Sequence, residues 1–449
     1  MTITNKLTLQ APNKKPPQAL KNKLLLLTLM LCSLAAHAAE LTIEINQGQD
    51  NPTAIAIVPF DSGRLSLSEN VVPIINGDLK RSGLFEPLAK EDMLSQPHER
   101  KDVFFRDWNA LDVEFLVVGR IKRGSEQRLE IQFELFDVVK QKRVMVEKIS
   151  GAEAQLRDMA HIISDKVYEQ VTGVPGAFNT RIVYVSAASR EEKRLNFRLM
   201  RADSDGAREK LILESEEPIL SPTWSPDAKE IAYVSFESGR PAIYRQNLAT
   251  GERDKLTNFR GLNSAPAWSP DGKKMAMVLS KDGSPDIYVM DLASKQLKRL
   301  TRNSAIDTEP GWSPDGQSII FTSDRGRKPQ IYKVTLATGR IERLTFEGDY
   351  NARATMRHDG NGLIMVHRSE GAFHIAELDF KSERTNVLTR TSLDESPSLA
   401  PNDSMIIYAT QQNRRGILAA VSVDGNVKYI LPATNRDVRE PAWSPLLSK

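Results

Sequence analysis

Apolar and polar positions repeat along residues 221–449 with a period of about 44 residues. Each unit carries a large apolar residue, then Ser-Pro-Asp-Gly or a variant of it, then two stretches in which apolar and polar residues alternate. Alternation is typical of strands, and Ser-Pro-Asp-Gly is typical of a tight turn. The large residues recur at spacings of 44, 44, 44, 43 and 44 residues, at Trp224, Trp268, Trp312, Met356, Leu399 and Trp443.

Four strands in such a period are the signature of a propeller blade. Residues 180–449 hold 270 positions, which accommodate six units of 45. The array opens at 181–213 with three strands that lack a leading Trp strand, and it closes at 441–443 with a Trp strand that lacks followers. We therefore predict an all-β six-bladed β-propeller over 181–449, with one blade closed by strands from both ends of the array.

The large residues predict how the blades pack. Each follows a small residue, namely Thr223, Ala267, Gly311, Thr355, Ser398 or Ala442. Blades are most crowded near the axis, so a large side chain of one blade should meet a small one of its neighbour. Because Met356 and Leu399 replace Trp in two units, the series favours apolar packing over a platform for a ligand.

Residues 40–173 contain no such repeat. Alternating or apolar stretches predict strands, and two segments with apolar residues at helical spacing predict helices. The strands are expected at 40–45, 53–60, 114–123, 129–138 and 142–149, and the helices within 68–85 and 152–173. This pattern predicts an α/β N-terminal domain, two helices on a mixed sheet, joined to the propeller by a short linker at 174–180.

The first 39 residues read as a cleaved export signal. Lysines precede the apolar run 24–36, and small residues follow it, so we expect cleavage after Ala38 or Ala39. Thirteen apolar residues are short for a membrane anchor, and Leu31 before Cys32 does not fit a lipoprotein signal. A mature chain without cysteine suits an oxidising compartment and would rely on packing alone.

Charge excludes a nucleic-acid surface. Residues 1–39 hold five lysines and no acidic residue, so without them the formal charge of +3 becomes −2. A chain with that balance offers no general basic surface for nucleic acid or anionic lipid. We expect a monomer without a transmembrane segment in its mature form.

Motifs of catalysis are missing from the sequence. It contains no G-x-S-x-G, H-E-x-x-H, P-loop or G-x-G-x-x-G. His358, His367 and His374 fall in one repeat, but no cysteine or carboxylate completes a ligand set, so satisfied strand histidines are the favoured interpretation. We predict a binding protein with no catalytic residue, cofactor or metal; the alternative is an enzyme site in the channel or a propeller that gates a peptidase.

A partner would meet the loops that lead into the Trp strands. The repeats are equivalent, so these loops emerge at one end of the central channel, called the mouth below. They carry a polar set of both charge signs: Asn263, Thr308, Glu309, Arg353, Glu395, Arg439 and Glu440. Such a mixture suits a protein partner, and an ordinary solvated rim is the alternative.

Several segments resemble the TolB family of the periplasmic Tol–Pal system. They include GAFNTRIVYVS (176–186), FESGRPAIY (236–244), TEPGWSPDGQSIIFTSDRGRKPQIYKV (308–334), DESPSLAP (394–401) and LPATNRDVREPAWSP (431–445). The similarity extends over the whole mature chain and includes the order of leader, α/β domain and propeller. It implies a non-enzymatic scaffold that supports outer-membrane integrity and constriction at cell division.

The resemblance also implies two partners. It places the lipoprotein Pal at the channel mouth, on Leu262, Asn263, Ala265, Thr308, Glu309, Arg353, Glu395, Arg439 and Glu440. It places TolA on the mature amino terminus, at Glu40, Leu41, Thr42, Ile43, Glu44 and Ile45. The alternating ELTIEI sequence could add a strand to a partner's sheet, or it could pair within its own domain.

Overall fold

The computed structural model describes residues 43–45, 51–124, 128–188, 196–432 and 436–447, the first segment by its backbone alone. Over these residues the chain forms a domain with two main helices on a mixed sheet, followed by a six-bladed β-propeller. The predicted fold class is therefore confirmed. The predicted leader, 1–39, lies outside the described residues.

Six strands precede the propeller, and five of them form the sheet of the α/β domain in the order β3-β2-β4-β5-β6. The strands are β1 (Ile43–Ile45), β2 (Thr53–Ile57), β3 (Phe85–Pro87), β4 (Phe115–Arg123), β5 (Leu129–Asp137) and β6 (Lys142–Gly151). Strand β2 pairs in parallel with β3 and β4, and the other pairs are antiparallel. β1 pairs elsewhere, as described below.

The helices of this domain are α1 (Val71–Arg81), the short α2 (Phe105–Asn109) and α3 (Leu156–Thr172). Helix α1 begins where the Asn70 side chain accepts a hydrogen bond of 3.1 Å from the Val72 N–H, and Pro73 in its first turn needs no partner. Helix α3 ends at Gly173, whose φ of 76° is left-handed. Its buried apolar stripe and that of α1 cover one face of the sheet.

The propeller opens with three strands of the closing blade and continues with complete four-stranded blades. The opening strands are β7 (Arg181–Ala187), β8 (Phe197–Asp203) and β9 (Lys210–Ser215). Blade 1 consists of β10 (Ile219–Trp224), β11 (Glu230–Ser235), β12 (Ala242–Asn247) and β13 (Arg253–Lys255). Blade 2 consists of β14 (Asn263–Trp268), β15 (Lys274–Leu279), β16 (Asp286–Asp291) and β17 (Leu297–Arg299).

The remaining blades follow the same antiparallel order. Blade 3 consists of β18 (Asp307–Trp312), β19 (Ser318–Ser323), β20 (Gln330–Thr335) and β21 (Ile341–Arg343). Blade 4 consists of β22 (Asn351–Met356), β23 (Gly362–Ser369), β24 (Ala372–Asp379) and β25 (Arg384–Val387). Blade 5 consists of β26 (Glu395–Leu399), β27 (Met405–Gln412), β28 (Arg415–Ser422) and β29 (Val427–Ile430), and β30 (Asp437–Trp443) completes blade 6.

The ring closes as the repeat predicts. Strand β30 pairs antiparallel with β7, with Trp443 opposite Ile182. Beyond the ladder, the Arg181 N–H donates a 2.9 Å hydrogen bond to the Ser444 hydroxyl. One blade is therefore built from both ends of the array, which removes two sheet edges.

The Ser-Pro-Asp-Gly turns hold themselves together locally. In blade 3 the Ser313 hydroxyl donates to an Asp315 carboxylate oxygen over 2.6 Å, and the Gln317 N–H donates to the same oxygen over 2.9 Å. Gly316 has a left-handed φ of 67°, which glycine adopts without steric cost. This local stability explains why the motif recurs.

The large residues join neighbouring blades. The indole Nε1 of Trp312 donates to the carbonyl of Ala267 over 3.0 Å, and Trp224 does the same to Ala442. Both acceptors are the small residues predicted to face a large one. The tryptophans therefore hold blades together, and the packing interpretation is confirmed for these two contacts.

Candidate partner-binding surface at the channel mouth

The innermost strand of every blade carries one left-handed residue, three positions before the large apolar residue. These residues are Ser221, Ala265, Glu309, Arg353, Ser396 and Glu440, with φ values from 48° to 55°. Each lies where the pairing with the second strand shifts register. The repeat therefore contains a bulge, which a left-handed L-residue occupies only when its surroundings hold it there.

Sequence reasoning missed this bulge, although a signal was present. Five of the six left-handed residues precede a proline, as in the Glu309-Pro310 and Glu440-Pro441 pairs. Proline has no N–H to offer a ladder and within sheets marks an edge or a bulge. The prolines inside these short strands thus pointed to the interruption.

The six bulge residues line a central cavity of about 740 Å³. At its centre Arg353 lies between two glutamates from different blades. Its Nε is 3.1 Å from a Glu309 carboxylate oxygen, and its Nη2 is 3.8 Å from one of Glu440. A single guanidinium thus links blades 3, 4 and 6 across the channel.

Both glutamates also hold the backbone of a neighbouring blade. Glu309 Oε2 accepts a 2.9 Å hydrogen bond from the Arg353 N–H, and Glu440 Oε2 accepts one from the Ser221 N–H. The two donors are themselves left-handed bulge residues. Glu309 and Glu440, predicted as partner contacts, therefore stabilise the ring from within the channel.

Arg353 keeps its charge in this position. Burial alone would lower its pKa, but the carboxylates of Glu440, Glu309 and Glu395 outweigh burial and raise that pKa. Its side chain is 29% exposed to the channel. The channel centre is consequently acidic overall, with one cation shared among its carboxylates.

The other predicted contacts divide by exposure. Leu262, Glu395 and Arg439 are exposed around the mouth, and Ala265 and Thr308 are half-buried there. Asn263 is fully buried, and its amide group donates to the carbonyl of Phe259 over 2.8 Å and accepts from the Phe259 N–H over 3.1 Å. Its side chain shapes the loop and does not face solvent.

An exposed apolar arc surrounds the mouth, and of its four members only Leu262 was predicted. Leu262, Ile306, Phe346 and Leu393 come from the loops leading into four consecutive blades and are 36%, 51%, 72% and 38% exposed. Arg439, in blade 6, adds a positive charge to the same rim of the mouth. Exposed apolar side chains at corresponding loops of neighbouring blades are candidates for contact with a partner. Three of them lie one or two residues before an innermost strand. A search of the sequence for apolar residues at this position of each repeat could have found them.

The amino-terminal strand joins the propeller and not its own domain. β1 pairs antiparallel with β29, the outer strand of blade 5, with Ile43 opposite Tyr429 and Ile45 opposite Val427. The interpretation that this stretch pairs within its own domain is therefore wrong for residues 43–45. Residues 40–42 lie outside the described residues.

The interpretation as satisfied strand histidines holds for His367 only: His358 is hydrogen-bonded but lies in a turn, and His374 has a buried Nδ1 with no hydrogen-bond partner among the described residues. His367 Nδ1 lies 2.7 Å from the Asn351 side-chain oxygen, and His358 Nδ1 lies 2.7 Å from an Asp403 carboxylate oxygen. In the described part of the chain, only Asp78, His161 and Asp205 gather as three groups of ligand type. Arg81 and Arg157 already neutralise those carboxylates.

The architecture defines a class: a six-bladed β-propeller preceded by a small α/β domain. No helix within the described ranges is both long and apolar enough to cross a membrane. A family model described as the TolB beta propeller domain matches residues 168–447, and one described as the TolB amino-terminal domain matches residues 41–144. The chain belongs to the TolB family.

Individual relatives agree with this assignment. The Tol-Pal system protein TolB of Pseudomonas aeruginosa is 55% identical over 429 residues, covering 95% of this chain and 99% of that protein. The corresponding protein of Pseudomonas putida is 54% identical over 427 residues, covering 94% and 98%. The crystal structure of TolB from Acinetobacter baumannii matches with a TM-score of 0.83 and 43% identity, covering 90% of this chain and 100% of that one.

Proposed function

We propose that the protein is a non-enzymatic scaffold of the Tol–Pal system in the periplasm. In this proposal the channel mouth binds Pal and the mature amino terminus binds TolA, and the link supports outer-membrane integrity and constriction at cell division. Support comes from the near full-length identity with Pseudomonas proteins of that system. The observation that carries the docking surface is the exposed apolar arc at the mouth.

The mouth offers two kinds of contact to Pal. The apolar arc (Leu262, Ile306, Phe346 and Leu393) supplies area that a partner can remove from water. Glu395 and Arg439 supply charges of opposite sign beside it, and these would fix orientation more than they add affinity. The bonded channel behind the arc keeps this surface preorganised, which lowers the entropic cost of docking.

Substitution within the arc tests Pal docking. We expect Ile306→Glu to raise the Kd for purified Pal at least tenfold, because it places a charge in the apolar contact. The matched control is Leu211→Glu, which alters a side chain of similar exposure, 46% against 51%, on the outer strand β9. Both variants should keep the wild-type Tm, because neither side chain is buried.

Binding is measured by titration calorimetry with the full mature chain. Equal affinity of the two variants for Pal would remove the mouth as the docking surface. Loss of affinity in both, with an unchanged Tm, would place the surface elsewhere on the propeller.

TolA would bind residues 40–45 by strand addition. The proposal is supported by β1, because residues 43–45 of this stretch pair with the edge strand β29. Main-chain hydrogen bonds supply affinity in this mode of recognition. TolA and β29 would then compete for one strand.

A further inference from the structure

A network of charged groups crosses the boundary between the α/β domain and the propeller. The α/β domain contributes Glu69, Asp78, Arg81, Arg157, Asp158 and His161. The propeller contributes Arg181, Asp203, Asp205 and Arg208. Ion pairs connect all ten groups without a break, and we call them the interdomain network.

His161 lies at the centre of the network. Its Nδ1 is 2.8 Å from Asp78 Oδ2 in its own domain, and its Nε2 is 3.9 Å from Asp203 Oδ2 in the propeller. Its side chain has no exposed surface, and that of Asp203 has 2%. The imidazole therefore faces a carboxylate of each domain in a site closed to solvent.

The charges of the network balance only when His161 is protonated. The network holds five carboxylates and four guanidinium groups, so the imidazolium is its fifth positive charge. A neutral His161 leaves one unpaired negative charge where solvent cannot screen it. An uncompensated buried charge is strongly destabilising.

We propose that the proton on His161 locks the α/β domain onto the propeller, and that its loss loosens this interface. The carboxylates that stabilise the positive charge of His161 come from both domains. Protonation of His161 therefore also stabilises the docked arrangement of the domains. The lock concerns domain coupling and does not depend on the partners proposed above.

Three further ionisable groups lie near this site: ionisation of Asp165 acts in the same direction as deprotonation of His161, whereas the positive charge of Arg201 opposes it. Burial raises the pKa of Asp165, on α3, to about 7, although the Phe178 N–H donates to it over 2.7 Å. Its ionisation above that pH adds a further negative charge near His161. Tyr429, on β29, has its pKa raised to about 12 by burial, and Arg201, on β8, carries one more positive charge beside Asp203.

The pH window follows from His161 itself. Burial lowers its pKa, but Asp78 and Asp203 outweigh burial and raise it from 6.5 to about 9. A raised pKa means that the stabilisation is complete below pH 6.5 and is lost as pH rises through 9. The difference between the two pKa values, 6.5 and about 9, corresponds to at most a roughly 300-fold change in the equilibrium constant for docking of the two domains.

Release of the lock would reach the strand that carries β1. A Cβ added to Gly83, at the end of α1, would lie 2.0 Å from a methyl carbon of Val427, on β29. The α/β domain thus contacts a side chain of β29, and β1 pairs with the edge of that strand opposite β28. A loosened interface would remove support from one side of this ladder.

Interdomain distances test the proposal in the protein from Glu40 onward. Spin labels are attached to Leu94→Cys in the α/β domain and Val387→Cys in blade 4, two exposed sites in a chain that then holds no other cysteine. Pulsed electron–electron double resonance at pH 6 should give one narrow distribution of distances between the two labels. At pH 10 a second, broader population should appear.

Variants separate the lock from general alkaline loosening. His161→Gln should show the broad population already at pH 6, with at most a small increase at pH 10 from the ionisation of Asp165. His161→Gln with Asp205→Asn restores charge balance and should return the narrow distribution at both pH values. His358→Gln, which alters a half-exposed histidine outside the network, should behave as wild type.

Two results would overturn the proposal: a single narrow distribution in the wild type from pH 6 to pH 10, or a pH response that His161→Gln leaves unchanged. If His161→Gln does not fold, the imidazole resonances of wild-type His161 decide. Interdomain broadening must then follow the His161 titration, and broadening that precedes or lags it by more than one pH unit contradicts the lock.

Discussion

Glu309 accepts a hydrogen bond of 2.9 Å from the backbone N–H of Arg353, a left-handed residue in the neighbouring blade. The same carboxylate pairs with the Arg353 side chain and accepts from the Thr322 hydroxyl over 2.9 Å. One side chain thus satisfies a backbone group, a charge and a hydroxyl across a blade boundary. Residues that look like surface contacts in the sequence here hold the ring together.

Removal of this carboxylate should destabilise the propeller. We expect Glu309→Ala to lower the free energy of unfolding by about 1–3 kcal/mol, because it removes the carboxylate that accepts from the Arg353 N–H and pairs with the Arg353 side chain, and leaves only the weaker partners Thr322 and Glu440. Urea unfolding of the full mature chain measures the change. The control is Glu395→Ala at an exposed position of the mouth; equal losses in the two variants would contradict the role of Glu309.

Overpacking of a blade contact should also be costly. A Cβ added to Gly311 would lie 3.1 Å from the carbonyl oxygen of Ala354 in the next blade. We expect Gly311→Leu to reduce the free energy of unfolding by about 1–3 kcal/mol, as overpacked cores do. Thr355→Leu is the matched control, because Thr355 holds the equivalent position in blade 4 and is exposed. A similar urea midpoint for both variants would argue against crowding near the axis.

Acid should weaken the interdomain network by protonating its carboxylates. Burial alone would raise the pKa of Asp158, but hydrogen bonds and charges from Arg208 and Arg181 outweigh it and lower that pKa below 3.8. The stabilisation is therefore present above pH 3.8 and is lost as pH falls further. We expect the wild-type Tm to drop more steeply than that of Asp158→Asn between pH 4 and pH 2.5, as measured by calorimetry; parallel curves would remove Asp158 from the acid response.

Deletion of residues 40–45 should separate the two proposed partners. We expect loss of TolA binding with unchanged affinity for Pal, because the deleted strand lies on β29 and not at the mouth. Amide exchange along β29 should accelerate, since its outer edge loses a ladder. Titration calorimetry with each partner and exchange mass spectrometry check these outcomes. Retained TolA binding would place that contact elsewhere.

The repeat made the propeller predictable, because each blade is specified by local signals. The turn at Ser313 and Asp315 closes on its own hydrogen bonds, so the same letters give the same turn wherever they occur. Ring closure followed from the missing first strand at Arg181 and the extra one at Trp443. Periodicity and turn chemistry were sufficient for these features.

Contacts across long sequence distances were not predictable in the same way. The alternation of apolar and polar residues identified a strand at 40–45. It could not identify β29 as the partner strand, because the sheet edge that is available for pairing depends on the assembled fold. Polarity assigned Glu309 to the rim, although its acceptor role depends on the backbone twist of another blade. Asn263 likewise read as a surface amide until its loop was seen to fold around it.

The pairing of β30 with β7, called the seam here, also limits the order in which the propeller can fold. Its hydrogen bond between Arg181 and Ser444 joins residues 263 positions apart, and contacts of such separation form slowly because a long loop must close first. Until residues 437–443 are in place, β7 presents an uncovered strand to any neighbouring polypeptide. Newly synthesised chains should therefore be open to wrong strand pairing until the seam forms.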